Sequence, residues 1–253
     1  MMSIFKRLAG NAAGEIMDTV KFFAGVAGVW LTIITFLFAP FHIPSESMQP
    51  SLEVGDRVLV SKWAYGYSRH SLPLGLGYYL PESWDFRIFP RTPERGDVVV
   101  FRTPDQRRNL IKRVIGLPGD VIMMQGGRLY INGEIVERDA IEERTYVPHQ
   151  RNERATVTAY TETLPNGVEH YIYERSDYES VDDVGPYRVP ANHIFAMGDN
   201  RDSSTDSRFS APGYIDLTEV VGRAETVMFT LKRCTRQEGL YCPTGRVWRG
   251  LQN

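Results

Sequence analysis

The chain has 253 residues, 42% of them hydrophobic and 24% charged, and its 29 Lys+Arg against 31 Asp+Glu leave a formal net charge of −2. That balance excludes a disordered, collagen-like or polybasic chain and offers no electrostatic attraction for nucleic acid. A mean hydropathy of −0.29 excludes a protein that crosses a membrane many times, and two cysteines are too few for a disulfide scaffold or a four-cysteine zinc site.

The apolar residues are unevenly placed. No charge occurs between Lys21 and Glu46, and residues 22–41 read FFAGVAGVWLTIITFLFAPF. As a helix this run rises about 30 Å, the thickness of a bilayer's hydrocarbon core. Thr32 and Thr35 can bond back to helix carbonyls, and Pro40 and Pro44 are expected to end the helix. The run exceeds the apolar part of a cleaved signal peptide, and FHIPSES after it holds no small-x-small cleavage site. A buried core helix would be amphipathic, which this is not. We therefore predict a transmembrane helix over 22–41 behind a cytoplasmic segment, 1–21. Lys6, Arg7 and Lys21 precede the span, against Arg57 alone in the twenty residues after it. That bias puts the N-terminus in the cytoplasm and everything from His42 onward across the membrane.

Beyond the span the chain is dense in short strand-like runs, at 57–60, 97–101, 111–115, 129–131 and 226–231. Turn signals separate them at 54–56, 95–97, 117–120 and 131–133. Asn132-Gly133 between strand-like flanks suits a type I′ hairpin. A mainly β fold follows: an antiparallel core sheet, with no internal repeat. Residues 66–95 hold Tyr67, Tyr78, Tyr79, Trp84, Phe86 and Phe89 among Gly and Pro. They read equally as aromatics at the bilayer interface or as a long loop packed on the sheet. The polar stretch 121–195, charge-rich at 137–144 and 150–154, reads as a smaller β subdomain inserted between two core halves, 42–120 and 196–253. Cys234 and Cys242 lie eight positions apart on the side taken as oxidising; a disulfide that restrains the unfolded chain is preferred there to free thiols.

Three segments carry candidate chemistry. In Ile43-Pro44-Ser45-Glu46-Ser47-Met48-Gln49-Pro50-Ser51-Leu52, serine between turn formers is ordinarily a cap or a turn residue. In Leu110-Ile111-Lys112-Arg113-Val114-Ile115-Gly116-Leu117-Pro118-Gly119-Asp120, the lysine reads as the polar member of an alternating strand. Gly198-Asp199-Asn200-Arg201-Asp202-Ser203-Ser204-Thr205-Asp206-Ser207-Arg208 reads as a solvated loop. A linear calcium loop starting at Asp202 fails, because Ser207 stands where the glycine turn belongs and no glutamate follows at its end.

Together and in this order the blocks PSESMQPSLEVGDRVLVSKWAYG, RGDVVVF, IKRVIGLPGD and GDNRDSSTDSR, behind an apolar anchor, resemble the bacterial type I signal peptidases. These are membrane-anchored serine proteases that remove signal peptides from exported proteins. The resemblance implies that Ser47 is the nucleophile and Lys112 the general base. Ser45 would join the Ser47 N–H in the oxyanion hole, and Ser204 would orient the lysine. Arg113, Asp199, Arg201, Asp206 and Arg208 fall where the family has a supporting ionic network. Glu46 departs from the glycine often found before the nucleophile, and Ser203 stands where many members have asparagine.

The residue chemistry is coherent with that implication. A serine hydroxyl needs a neighbouring base, and none of His42, His70, His149, His170 or His193 stands in a recognisable triad setting. Lysine can serve if a dry environment lowers its ordinary pKa of about 10.4; Met48, Ile111 and Val114 are candidates for that apolar surround. Ile43, Pro44, Met48, Leu52 and Ile111 are expected to line shallow pockets that admit only small side chains from an extended substrate. The expected partners are signal-peptide-bearing preproteins and the lipid bilayer, with no nucleic acid, no cofactor, no metal and a monomeric chain. The family further implies a single-pass protein of the bacterial inner membrane with a periplasmic catalytic domain. A self-cleaving repressor of the Ser/Lys type would carry a DNA-binding helical domain where this chain has the apolar run. A non-catalytic binding module would tolerate loss of Ser47 or Lys112, and both are present.

Overall fold

The computed structural model describes residues 2–72, 76–77, 79–81, 87–103, 108–149, 153–231 and 239–251, with backbone alone for 2–13. A continuous helix runs over Met2–Thr32 and widens into a π-helical turn at Ile33–Leu37. Within it, Gly14–Leu37 is long and apolar enough to cross a membrane (mean hydropathy 1.9), and none of its apolar window is buried against the rest of the chain. Thr32 and Thr35 donate to the carbonyls of Gly28 and Leu31 at 2.9 and 2.6 Å.

The helix ends earlier than the apolar run. Phe38–His42 is a strand, paired antiparallel with Asp56–Ser61, so the predicted span of 22–41 is corrected at its C-terminal side. Apolarity alone cannot tell the last turn of a span from an apolar strand. Pro40 does not stop the helix; it sits in the outermost strand of the sheet, where a missing N–H removes no ladder bond. The carbonyls freed at the helix end are met by the β body. Lys62 Nζ donates to Ile34 O at 2.7 Å and Tyr67 Oη to Phe36 O at 2.9 Å.

Tyr67–Ser68 pairs with Arg87–Ile88 as a two-stranded ribbon beside this junction, and the Tyr67 ring packs edge-on against Phe36. Tyr79 and Phe89 are 86% and 77% exposed, so the stretch is not a loop packed wholly on the sheet. Tyr78, Trp84 and Phe86 lie outside the described residues.

The β body is mainly antiparallel, as expected. Its eight-stranded sheet runs in the order Phe38–His42, Asp56–Ser61, Val220–Thr230, Val98–Arg102, Asn109–Gly116, His193–Met197 and Ile215–Asp216, with Arg249–Gly250 added alongside Val220–Thr230. The insert forms a four-stranded sheet (Val184–Arg188, Val121–Gln125, Arg128–Ile131, Glu134–Ile135) and a three-stranded one (Glu137–Tyr146, Ala155–Thr163, Glu169–Glu174). Asn132 and Gly133 adopt φ of 55° and 86° in the hairpin that joins two of those strands, as a type I′ turn requires. The insert is less separate than a satellite. Ile122, Met124, Leu129 and Ile131 pack in one core with Ile115, Phe195 and Met197 of the large sheet. The proposed boundary at 195 therefore cuts through a core strand, His193–Met197. Cys242 is held in a disulfide; Cys234 lies outside the described residues, so that pairing stays an expectation.

Candidate active site

Strand Asn109–Gly116 lies between Val98–Arg102 and His193–Met197 in the large sheet. Successive side chains on a strand point to opposite faces, so Lys112 and Arg113 part company. Lys112 Nζ lies 2.6 Å from Ser47 Oγ and donates to Ile111 O at 2.9 Å. Arg113 forks onto Asp199, Nε to Oδ1 at 2.9 Å and Nη2 to Oδ2 at 2.8 Å, with further bonds to Gly96 O and Ser51 Oγ. Asp199 is within reach because its loop leaves directly from the neighbouring strand His193–Met197.

The nucleophile turn follows the edge strand and is pinned from that same loop. Asn200 N–H donates to Ser47 O at 3.1 Å, and its side-chain amide donates to Glu46 O and Tyr146 Oη. Ser47 is 7% exposed and Lys112 3% exposed. Burial drives the lysine pKa down from 10.5 to about 8, against the opposing pull of the Asp206 and Asp199 carboxylates. Those carboxylates raise it less than they could because each is neutralised by an arginine. Asp206 is gripped through both oxygens by Arg208, at 2.9 Å each, and also accepts Gly198 N–H at 3.0 Å. Burial by itself would raise the Asp206 carboxyl; Arg208 and these hydrogen bonds hold it below the usual range. Arg201, 1% exposed, pairs with Glu162 in the insert.

Ser45 is exposed, and its Oγ stands 3.4 Å from Ser47 Oγ. Among the described residues the Ser47 N–H donates to no acceptor. The Ser47 N–H, and the Ser45 hydroxyl once its bond to Ser47 Oγ is given up, thus stand where a developing oxyanion beside Ser47 would need donors. A cleft opens onto Ser47 and Lys112 between Phe41, Ile43, Pro44 and Ser45 on one wall and Leu110 and Ile111 on the other. Of the expected pocket residues, Ile43, Pro44 and Ile111 do line it. Met48 and Leu52 do not: both are fully buried in the core with Val58, Val60 and Val98. Their apolarity serves packing and the dryness around Lys112.

Ser204 departs from its expected role. Its buried Oγ makes no hydrogen bond to Lys112, which takes the Ile111 carbonyl instead, and its side chain acts on Asp206, helping to hold that carboxyl below the usual range. The hydroxyl is trapped under Gly198, where an added Cβ would lie 2.2 Å from Ser204 Oγ and 2.4 Å from Ser47 O. Only glycine allows that approach. Gly198→Ala is therefore expected to displace the nucleophile turn and lower turnover by about 10²-fold, the scale of a 1 Å misplacement, with kcat rather than KM carrying the loss. Steady-state kinetics of the two forms check this. Gly198 and Asn200 hold the turn that carries Ser47, and residue-type reasoning passed over both. The available signal was their place inside the GDNRDS block, and neither titrates nor attacks.

Fold and site together define a β-sheet protein on an apolar N-terminal helix, with a buried serine–lysine pair at the mouth of an apolar cleft. The chain belongs to the family described as Signal peptidase, peptidase S26, whose model matches residues 16–229. It is 41% identical over 202 residues to Signal peptidase I of Pseudomonas aeruginosa, covering 79% of this chain and 64% of that one. To Signal peptidase I of Rickettsia prowazekii it is 36% identical over 231 residues, covering 88% and 83%. The chain thus spans somewhat under two thirds of the length of its Pseudomonas relative. A crystal structure of a signal peptidase I from Enterococcus faecalis superposes with a TM-score of 0.32 at 25% identity, over 53% of this chain and 97% of that one.

Proposed function

We propose that the protein is a membrane-anchored serine endopeptidase that removes N-terminal signal peptides from exported preproteins, cutting after small-x-small sites of the Ala-x-Ala kind. The observation that carries this reading is the 2.6 Å contact between Ser47 Oγ and Lys112 Nζ in a buried setting.

The neutral amine of Lys112 accepts the Ser47 proton as Oγ attacks the scissile carbonyl carbon. The Ser47 N–H and the Ser45 hydroxyl receive the negative charge that develops on the carbonyl oxygen, each worth about 3–4 kcal/mol in the transition state. The resulting ammonium hands its proton to the leaving amine, which frees the mature protein and leaves the signal peptide esterified to Ser47. Lys112, again neutral, takes a proton from water, whose oxygen attacks the ester and releases the signal peptide. The Ile111 carbonyl keeps the amine aimed throughout. The substrate lies extended along the cleft, and the closeness of Ile43 and Ile111 leaves room only for short side chains.

The helix Gly14–Leu37 supports a bilayer anchor, and the charge bias before it supports a cytoplasmic N-terminus in the bacterial inner membrane, with the β body on the periplasmic face. Anchoring confines enzyme and preprotein to one surface and raises their effective concentration without tight peptide contacts.

The test is mass spectrometry of an exported precursor incubated with the detergent-solubilised chain. Cleavage after the small-x-small site is expected, lost in Ser47→Ala and in Lys112→Arg, whose guanidinium stays protonated. The rate should rise with pH through about 8 as Lys112 loses its proton. A flat profile, or full activity in Ser47→Ala, contradicts the reading.

A further inference from the structure

Away from Ser47 and Lys112, the end of strand Glu169–Glu174, the loop after it and the short helical turn Arg201–Ser203 meet at three carboxylates. Glu174, Asp182 and Asp202 each turn an oxygen inward, and these atoms lie within 4.8 Å of one another. Asp182 Oδ2 accepts Glu179 N–H at 2.6 Å, and Asp202 Oδ2 accepts the N–H groups of Arg175 and Ser176 at 2.6 and 3.3 Å. Their other oxygens, Oδ1 in both, are buried without a hydrogen-bond partner among the described residues, and so are both oxygens of Glu174. Glu174 is 2% exposed and Asp182 is 0% exposed.

Nearby arginines meet this demand in charge but not in hydrogen bonds. Arg138 Nη1 stands 3.5 Å from Glu174 Oε1, too far for a hydrogen bond, while its N–H groups go to Gly127 O at 2.9 Å and Asp177 Oδ1 at 2.7 Å. Arg201 is bonded to Glu162. The Arg138 ion pair with Glu174 and the charge of nearby Arg201 offset part of the charge of the three converging carboxylates. Oδ1 of Asp182, Oδ1 of Asp202 and both oxygens of Glu174 stay without a hydrogen-bond donor among the described residues, which is costly for buried charge. Calcium takes carboxylate oxygens at about 2.3–2.6 Å, so ligands on one ion can stand up to about 5 Å apart, a span that contains this cluster.

We propose that Glu174, Asp182 and Asp202 bind a divalent cation of the calcium type, with water completing its coordination, and that the ion ties the insert to the turn preceding Ser204. The ligands come from three separate segments, which is why no linear calcium loop marks them in the sequence. The competing occupant is a proton: without an ion, burial pushes the Glu174 carboxyl up to about 8.

The test uses the full chain in detergent, stripped with EDTA and titrated with CaCl₂ or MgCl₂ at pH 7, read by thermal melting and by luminescence of terbium as a calcium probe. Neither readout depends on proteolysis, so the result stands apart from the catalytic reading. The expected result is a saturable rise in Tm of about 5–10 °C at a hundredfold excess over Kd, with terbium emission that calcium displaces. Both are lost in Asp182→Asn and in Glu174→Gln, with circular dichroism verifying that at least one variant is folded. Persistence of both signals in the folded variants overturns the proposal. So does a wild type indifferent to both cations whose Tm falls steadily from pH 4.5 to 8, the signature of a protonated Glu174.

Discussion

Lys112→Met should lower precursor cleavage on the order of 10⁴-fold, and at the same time raise the melting temperature at pH 7. The loss is the upper end of a general-base effect, because the Ser47 proton has no other taker within reach. The gain in stability comes from the same burial that makes the lysine a base. The unfolded lysine titrates near 10.5 and the folded one near 8, so between those values the unfolded chain binds more protons and stability rises with pH. Below 8 the penalty is fully present, about 3 kcal/mol for a shift of that size. Methionine removes it and keeps the apolar contacts. Two hydrogen bonds, to Ser47 Oγ and Ile111 O, are lost in exchange, which returns about 2 kcal/mol. A Tm rise of about 2–4 °C remains. Parallel melting and cleavage assays decide it: an inactive variant that melts at or below the wild type at pH 7 contradicts this account.

Arg113→Met should lower stability by about 3–5 kcal/mol, since it strands the buried Asp199 carboxylate without its partner. Both side chains are almost wholly inaccessible, and the arginine forks onto both carboxylate oxygens. The pair itself contributes little net energy, because desolvation offsets its attraction; breaking it on one side does the harm. The double variant Arg113→Met/Asp199→Leu should therefore recover most of the loss, as denaturant titration would show. The single variant has a second signature. Asp199 acts on Lys112 in the direction of a higher pKa, and without Arg113 that pull is unopposed. The activity profile of the single variant should accordingly shift to higher pH, with its midpoint above 8. A midpoint that stays at 8 in a folded single variant would mean that the arginine does not insulate the base.

The cost of this arrangement explains its surroundings. A lysine that must be dry, and near carboxylates that would keep it charged, requires each carboxylate to be neutralised. Asp199 is matched by Arg113 and Asp206 by Arg208, while Arg201 extends the network into the insert through Glu162. On the proposed mechanism these buried charges follow from holding a dry lysine beside a hydroxyl, where each nearby carboxylate must be neutralised.

Much of this was legible in the linear chain. Hydropathy marks the anchor, turn residues punctuate the strands, and the order of four motif blocks points to the serine and the lysine. These signals are local: they depend on the composition and spacing of neighbours, which a sequence displays directly. What the chain alone could not decide is where one kind of order gives way to another. Phe38–Phe41 is as apolar as the helix before it, and only pairing with Val58–Ser61 makes it strand. Met48, Leu52, Ile43 and Ile111 carry the same apolarity and share one core, yet only Ile43 and Ile111 also border the cleft. Ser204 matches an orienting position, but its hydroxyl packs under Gly198 and makes no hydrogen bond to Lys112, which takes the Ile111 carbonyl. The carboxylates of Glu174, Asp182 and Asp202 come from segments that no spacing rule connects. Sequence thus determined which chemical groups are present and which short elements carry them. Tertiary structure decided which of those groups share a space and which are cut off from water, because desolvation and contact depend on distances in three dimensions between residues far apart along the chain.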